Sequence, residues 1–238
     1  MGMKTTRLTR RFVITSLLAL LIPTVLFAPQ AYAETYVGAQ FGVTVPSSLS
    51  GVELTGVFPG GSTMSDRTLA NSFMYGAKLG HFFDKARWLG IETEVFSTTP
   101  HIKQQNTIVT VPPSSTVTGG VVSGNVSGDH LRVITWAPLN IVFRYHKTRL
   151  QPYVAIGPGI YFARVQSTVA GFEGSQSTTA LGLNIQVGLQ YYITRNFTVF
   201  GEWKYNHAQF DFKETTNQFG FNAAYNAQLL SVGVSYHF

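Results

Sequence analysis

The sequence predicts an all-β fold, an eight-stranded antiparallel up-and-down transmembrane β-barrel with short periplasmic turns and long extracellular loops. Three observations carry that reading: apolar and polar residues alternate with period two over long segments, tight turns alternate with long polar connections, and only 12% of the 238 residues are charged. Residues 130–146 are the clearest case, with Leu131, Val133, Thr135, Ala137, Leu139, Ile141, Phe143 and Tyr145 on one face and Arg132, Asn140 and Arg144 on the other. Leu181, Leu183, Ile185, Val187, Leu189 and Tyr191 form the apolar face of residues 179–193, and Leu230, Val232, Val234, Tyr236 and Phe238 form that of the C-terminus. Apolar faces this long suit a wall in contact with lipid.

The first element is a leader, residues 1–33. Lys4, Arg7, Arg10 and Arg11 make a basic start, an apolar run to Ala28 follows, and Ala31-Tyr32-Ala33 supplies a small-residue cleavage site. Pro23, Thr24 and Pro29 interrupt the run, which argues against a retained anchor. Arg10-Arg11 could suit the twin-arginine route, but that route carries folded cargo and a lipid-exposed barrel cannot fold before reaching its membrane. General secretion is expected, with a mature barrel domain at residues 34–238. Without the leader the balance is thirteen cations against eleven acids, so the basic character lies mostly in the leader. No basic stripe interleaves with aromatics, and no nucleic-acid partner is expected. The lack of cysteine removes disulfides, thiolate metal sites and cysteine nucleophiles together.

Eight strands follow, at residues 35–44, 72–83, 87–97, 130–146, 149–164, 179–193, 196–207 and 225–238. Asp84-Lys85-Ala86, Lys147-Thr148 and Thr194-Arg195 are tight turns, whereas residues 45–71, 98–129, 165–178 and 208–224 read as long loops rich in Gly, Ser, Thr and Asn. Both chain ends then lie on the short-turn, periplasmic side. Within the longest loop, the run from Val109 to Gly128 cannot bury much apolar surface unless its valines extend neighbouring strands as a hairpin.

A soluble ligand carrier would share this alternation turned inside out, but its water-facing side would be dense in Lys and Glu. Here the polar face is mostly Gly, Ala, Asn, Gln, Ser and Tyr, which suits a confined lumen filled by its own side chains. If the Lys147-Thr148 turn pairs His146 with Arg149, Trp136 faces Gly159, Asn140 faces Ala155 and Arg132 faces Ala163. The lumen polar network is expected to hold Lys78, Arg132, Arg144 and Lys204 against Glu92, Glu94 and Glu202. Pairing Phe83 with Arg87 puts Lys78 directly across from Glu92, which predicts a salt bridge, because either charge buried alone is costly. A gated ion path is the alternative use of these charges. Tyr145, Tyr191, Phe197, Tyr236 and Phe238 at one end, and Phe73, Tyr75, Phe162, Trp203 and Tyr205 toward the other, predict two interfacial girdles.

The Ala31-Tyr32-Ala33 site, the strand from Tyr153 to Ile160 around Gly157-Pro158-Gly159, the hairpin from Gly188 to Phe197 and the ending Val232-Gly233-Val234-Ser235-Tyr236-His237-Phe238 resemble the eight-stranded outer-membrane β-barrel family. That family includes opacity-type proteins and the transmembrane domain of outer-membrane protein A. The resemblance implies a bacterial outer-membrane location and an assembly signal at Val234, Tyr236 and Phe238. It also implies the barrel-assembly machinery, outer-membrane lipids and lipopolysaccharide as partners, and a monomer. No peptidoglycan-binding domain is expected after Phe238. Such a fold specifies architecture and leaves activity open.

Enzyme chemistry has little to stand on. The lipid A 3-O-deacylase family uses a His-x-Ser pair with a carboxylate, and its nearest match is His207-Ala208-Gln209, where an amide replaces the nucleophile. The six histidines are dispersed, Gly157-Pro158-Gly159 precedes no helix, and Glu92 and Glu94 have Lys78 as a structural partner. No catalytic, cofactor-binding or metal residue is therefore assigned. The expected role is structural or surface display, with loops meeting host, lipopolysaccharide or phage; a porin-like small-solute channel and a lipid A-modifying hydrolase are the alternatives.

Overall fold

The computed structural model describes residues 34–114, 117–167 and 173–238. The expected leader lies outside the described residues. The described chain is all β: β1 (Glu34–Pro46), β2 (Ser50–Thr55), β3 (Thr63–Met64), β4 (Ser72–Phe83), β5 (Ala86–Thr98), β6 (His101–Ile102), β7 (Gln105–Val111), β8 (Gly120–Val126), β9 (Asp129–Arg144), β10 (Leu150–Ser167), β11 (Gly174–Tyr192), β12 (Phe197–Phe212) and β13 (Gly220–His237). Eight of these, β1, β4, β5, β9, β10, β11, β12 and β13, pair in that order, and β1 closes on β13. All pairings in the ring are antiparallel. Closure pairs both edges of the eight-stranded ring, which is what a chain without disulfides needs in order to expose a greasy outer face.

The first and last described strands meet at the seam. Val37 sits opposite Tyr236 and Phe41 opposite Val232. The Phe238 amide donates to the Thr35 carbonyl at 2.9 Å, and the Thr35 amide donates back at 3.3 Å. Asn196, in the turn between β11 and β12, donates its side-chain amide to the His237 carbonyl at 2.7 Å.

The barrel has two storeys of opposite polarity. In the lower one the outward side chains are Val37, Leu79, Val154, Val187, Val232 and their neighbours, all exposed, while Gln40, Lys78, Gln186 and Glu202 point inward and are buried. On β13 the greasy outer row runs from Phe238 to Leu230, a height of about 20–25 Å for a tilted strand. Above that line the pattern inverts without a change of parity. Gln209 and Asp211 point outward on β12 while Ala208, Phe210 and Phe212 point in, joining Leu131, Val133, Tyr161, Val165 and Tyr225 in an apolar core. The lower storey is built for lipid outside; the upper one is built for water outside.

The strands run further than the sequence suggests. Residues 165–167, 174–178, 208–212 and 220–224, read as loops, continue β10, β11, β12 and β13 above the greasy band. The upper wall also recruits β2, β3, β7 and β8, which add to β13 in that order, and β6, which pairs with β9. The valines near residue 109 do form a hairpin, β7 with β8, in which Val109 faces Val122.

A bulge in β9 and two hairpin registers differ from the expectation. In β9, Glu92 pairs with Asn140 but Glu94 pairs with Ala137, so β9 carries one extra residue beside Pro138. Proline cannot donate to a ladder, and a bulge is where a sheet tolerates it. One extra residue swaps the faces: Leu139, Ile141 and Phe143 point out, but Leu131, Val133, Thr135 and Ala137 point in. Trp136, expected in the lumen against Gly159, is exposed outside and pairs with Ile160. The β9–β10 hairpin is also offset, with Arg144 opposite Tyr153, so Ala155 faces Val142 and Ala163 faces Val133. Across the β4–β5 turn, Phe83 pairs with Ala86, and Lys78 lies opposite Glu94.

Candidate functional site

Strands β1, β4, β5, β10, β11 and β12 contribute inward residues to one buried cluster in the lower lumen. Lys78 Nζ lies 3.2 Å from Glu92 and also contacts Glu202; Lys204 Nζ contacts Glu94 and lies 3.1 Å from Glu202. The Lys78–Glu92 contact is diagonal, since Glu94 occupies the position directly across. Neutral donors complete the carboxylates. Tyr36 donates to Glu92 at 2.5 Å, Tyr153 to Glu202 at 2.5 Å, Asn184 to Glu94 at 2.8 Å, Gln186 to Glu94 at 2.5 Å and Gln40 to Glu94 at 3.1 Å. Buried charges persist only with such partners.

Two glycines make room for the tyrosines. A β-carbon on Gly80 would come within 2.3 Å of the Tyr36 ring, and one on Gly188 within 2.3 Å of the Tyr153 ring. Each ring therefore lies flat over its neighbour's bare backbone, and its hydroxyl is carried to the centre of the barrel.

Arg144 belongs to a separate cluster at the periplasmic mouth. It donates to Glu34 at 2.8 Å, to Tyr192 at 3.2 Å and to the Arg87 carbonyl at 2.9 Å, with its guanidinium 3.5 Å from the centre of the Phe82 ring. His237 Nδ1 lies 2.6 Å from Glu34, so the first and last strands share this contact. Between the two clusters remains a cavity of about 10 Å³ lined by Tyr36, Lys78, Glu92, Arg144 and Tyr153 among others. That is space for one water at most.

Arg132 is a correction. It is exposed on the outer surface opposite Arg164, above the greasy band, because the bulge at Pro138 moves its half of β9 to the other phase. The remaining six charges are buried in the lumen, five in the central cluster and Arg144 below. Tyr36, Gln40, Tyr153, Asn184 and Gln186 complete it; their polar parity was the available signal, and hydrogen-bonding reach across the barrel was not readable from one strand. Val234, Tyr236 and Phe238 stand exposed in one outward row.

His207 Nδ1 contacts Asn226 Oδ1 at 2.7 Å, and Gln209 is exposed beside it. The histidines are less dispersed than their sequence positions imply. His101 and His130 pair across β6 and β9 with ring centres 4.4 Å apart.

An antiparallel eight-stranded ring, greasy outside and ionic within, capped by a water-facing storey, defines an outer-membrane β-barrel protein. The chain belongs to the family of the outer membrane protein beta-barrel domain, whose model matches residues 15–238. Its place is the bacterial outer membrane. The fold is similar to that of OprG from Pseudomonas aeruginosa (13% identity, 87% of this chain and 96% of that one, TM-score 0.55). It is also similar to Neisserial surface protein A (12% identity, 87% and 98%, TM-score 0.51). The outer membrane protease OmpT from Escherichia coli matches more loosely (9% identity, 87% and 96%, TM-score 0.48). No curated protein sequence matches significantly. At these identities the likeness concerns the fold.

Proposed function

We propose that this protein is a non-enzymatic outer-membrane barrel whose lumen is closed by its own side chains and whose extracellular storey carries a structural and recognition role. The filled lower lumen carries this reading. Two lysines and three glutamates are buried in mutual contact, a second ionic cluster closes the periplasmic mouth, and about 10 Å³ is left between them. A solute path would need those contacts to part. In planar bilayers, purified protein is expected to give no steady conductance, and a stable open pore overturns the closed-lumen part of the proposal.

The recognition part rests on what the upper storey offers to solvent. Every residue of β8 is exposed, Val121 and Val122 to about two thirds, and among the described residues β8 pairs only with β7. Host surface, lipopolysaccharide or phage are the partners proposed for this region, with the barrel acting as a monomer embedded in outer-membrane lipid after delivery by the assembly machinery. Replacing residues 105–126 by a short Gly/Ser linker is expected to leave heat-modifiable gel migration intact while cutting attachment of the bacteria to host cells, or phage adsorption, by about tenfold or more. Unchanged attachment and adsorption would sink the role given to this hairpin.

A further inference from the structure

Above the ionic cluster, the extracellular storey holds a half-open cavity of about 320 Å³. Its wall is apolar: Val52, Leu54, Met64, Val109, Val165 and Phe221 contribute side chains from β2, β3, β7, β10 and β13. Phe58 and Phe219 also line it, edge to face with ring centres 4.9 Å apart. An engineered apolar cavity of about 150 Å³ accepts the six carbons of benzene, so this one has room for about a dozen non-hydrogen atoms.

Two charged residues line it. Arg67 is 6% exposed, donating from Nη1 to Thr107 Oγ1 at 2.7 Å and from Nη2 to the Ser127 carbonyl at 3.1 Å. Asp129 Oδ1 is buried with no hydrogen-bond partner among the described residues. Burial pushes the Arg67 guanidinium below its ordinary range, and the negative charge of Asp129 opposes that shift. A buried acceptor without a donor costs free energy that a ligand can recover.

We propose that this cavity binds a small, mostly apolar molecule bearing one neutral hydroxyl, of the alkylphenol or medium-chain alcohol class, with the hydroxyl donating to Asp129 Oδ1. A hydrocarbon fills the space but leaves that oxygen unpaired. A carboxylate meets the Asp129 charge, and an ammonium meets that of Arg67. A neutral O–H avoids both repulsions. The proposal does not depend on the recognition role of β8 or on a closed lumen, since the cavity lies in the apolar storey.

Met64 lines the cavity and Met74 lies in the apolar core, and these are the methionines of residues 34–238. The mature chain carrying ¹³C-methyl methionine in lipid nanodiscs is titrated with 4-pentylphenol, pentylbenzene and 4-pentylbenzoate. The phenol is expected to move the Met64 methyl resonance saturably and more than that of Met74, binding about tenfold more tightly than the other two, a difference of about 1.4 kcal/mol. Asp129→Leu is expected to equalise phenol and hydrocarbon, and Val52→Phe to remove saturable binding of all three. Unsaturating shifts, which signify partition into lipid, no shift at Met64, or preference for the benzoate or the hydrocarbon each overturn the proposal. The ligand series in the unaltered protein decides the matter should either variant fail to fold.

Discussion

Replacing Lys204 by methionine is expected to lower the unfolding free energy by about 3–5 kcal/mol, the cost of leaving a buried charge without its partner. Lys204 is completely buried and contacts both Glu94 and Glu202, so its loss leaves three carboxylates facing the single ammonium of Lys78. Methionine keeps most of the volume over the Phe96 ring, where the ammonium lies 5.3 Å from the ring centre, so a packing defect is not the source of the effect. The measurement is the urea midpoint for loss of heat-modifiable migration in vesicles. Adding Glu94→Gln to Lys204→Met should recover part of the loss, because it removes one of the stranded charges. A fall of less than about 1 kcal/mol in the single variant would place the network in solvent-screened surroundings and contradict a dry, closed lumen.

The second large effect concerns the outer wall. An arginine in place of Val187 puts a charge in the middle of the greasy band and is expected to cost about 2–4 kcal/mol, against about 0–1 kcal/mol for Gln209→Arg in the upper storey. Both positions are outward and exposed on neighbouring strands, so burial in protein does not separate them. What separates them is the medium: hydrocarbon at one height and water at the other. Equal costs at the two heights would mean that the polarity inversion between the storeys does not mark the membrane boundary.

Much of the lower storey was legible because its rule is local. Every second residue of 179–193 meets lipid, and the Gly, Asn and Gln between them meet the lumen, so Leu189 and Gln190 declare their faces from composition alone. The tight turns at residues 84–86, 147–148 and 194–195 fixed which ends are neighbours. The failures have equally specific causes. Pro138 was visible, but a bulge is decided by pairing with β5 and β10, and a single inserted residue was enough to send Arg132 to the surface and Val133 to the core. The upper storey reads as loop in the sequence because its strands turn polar residues outward and apolar ones inward, the reverse of the band below. Phe210 and Phe212 hold the same parity as Lys204, and only the change of surrounding medium makes both placements favourable. Strands β2 and β3 are short, and apart from each other their partners lie far away in sequence, β13 in one case and β7 in the other. Arg67 and Asp129 come together only through that long-range folding, so nothing in their own neighbourhoods marked them.

The seam between the first and last strands dictates an order of events. Phe41 cannot meet Val232, nor Glu34 meet His237, until nearly the whole polypeptide has been delivered, and a contact spanning so much chain is the slowest kind to form. Until that moment the sheet has two open rims, and the ammonium and carboxylate groups destined for its centre still face water across the gap. The last few residues therefore act as a zip fastener: a chain cut short before them leaves a curled ribbon with its ladder unfinished, exposed to proteolysis and to joining with the rims of its own copies.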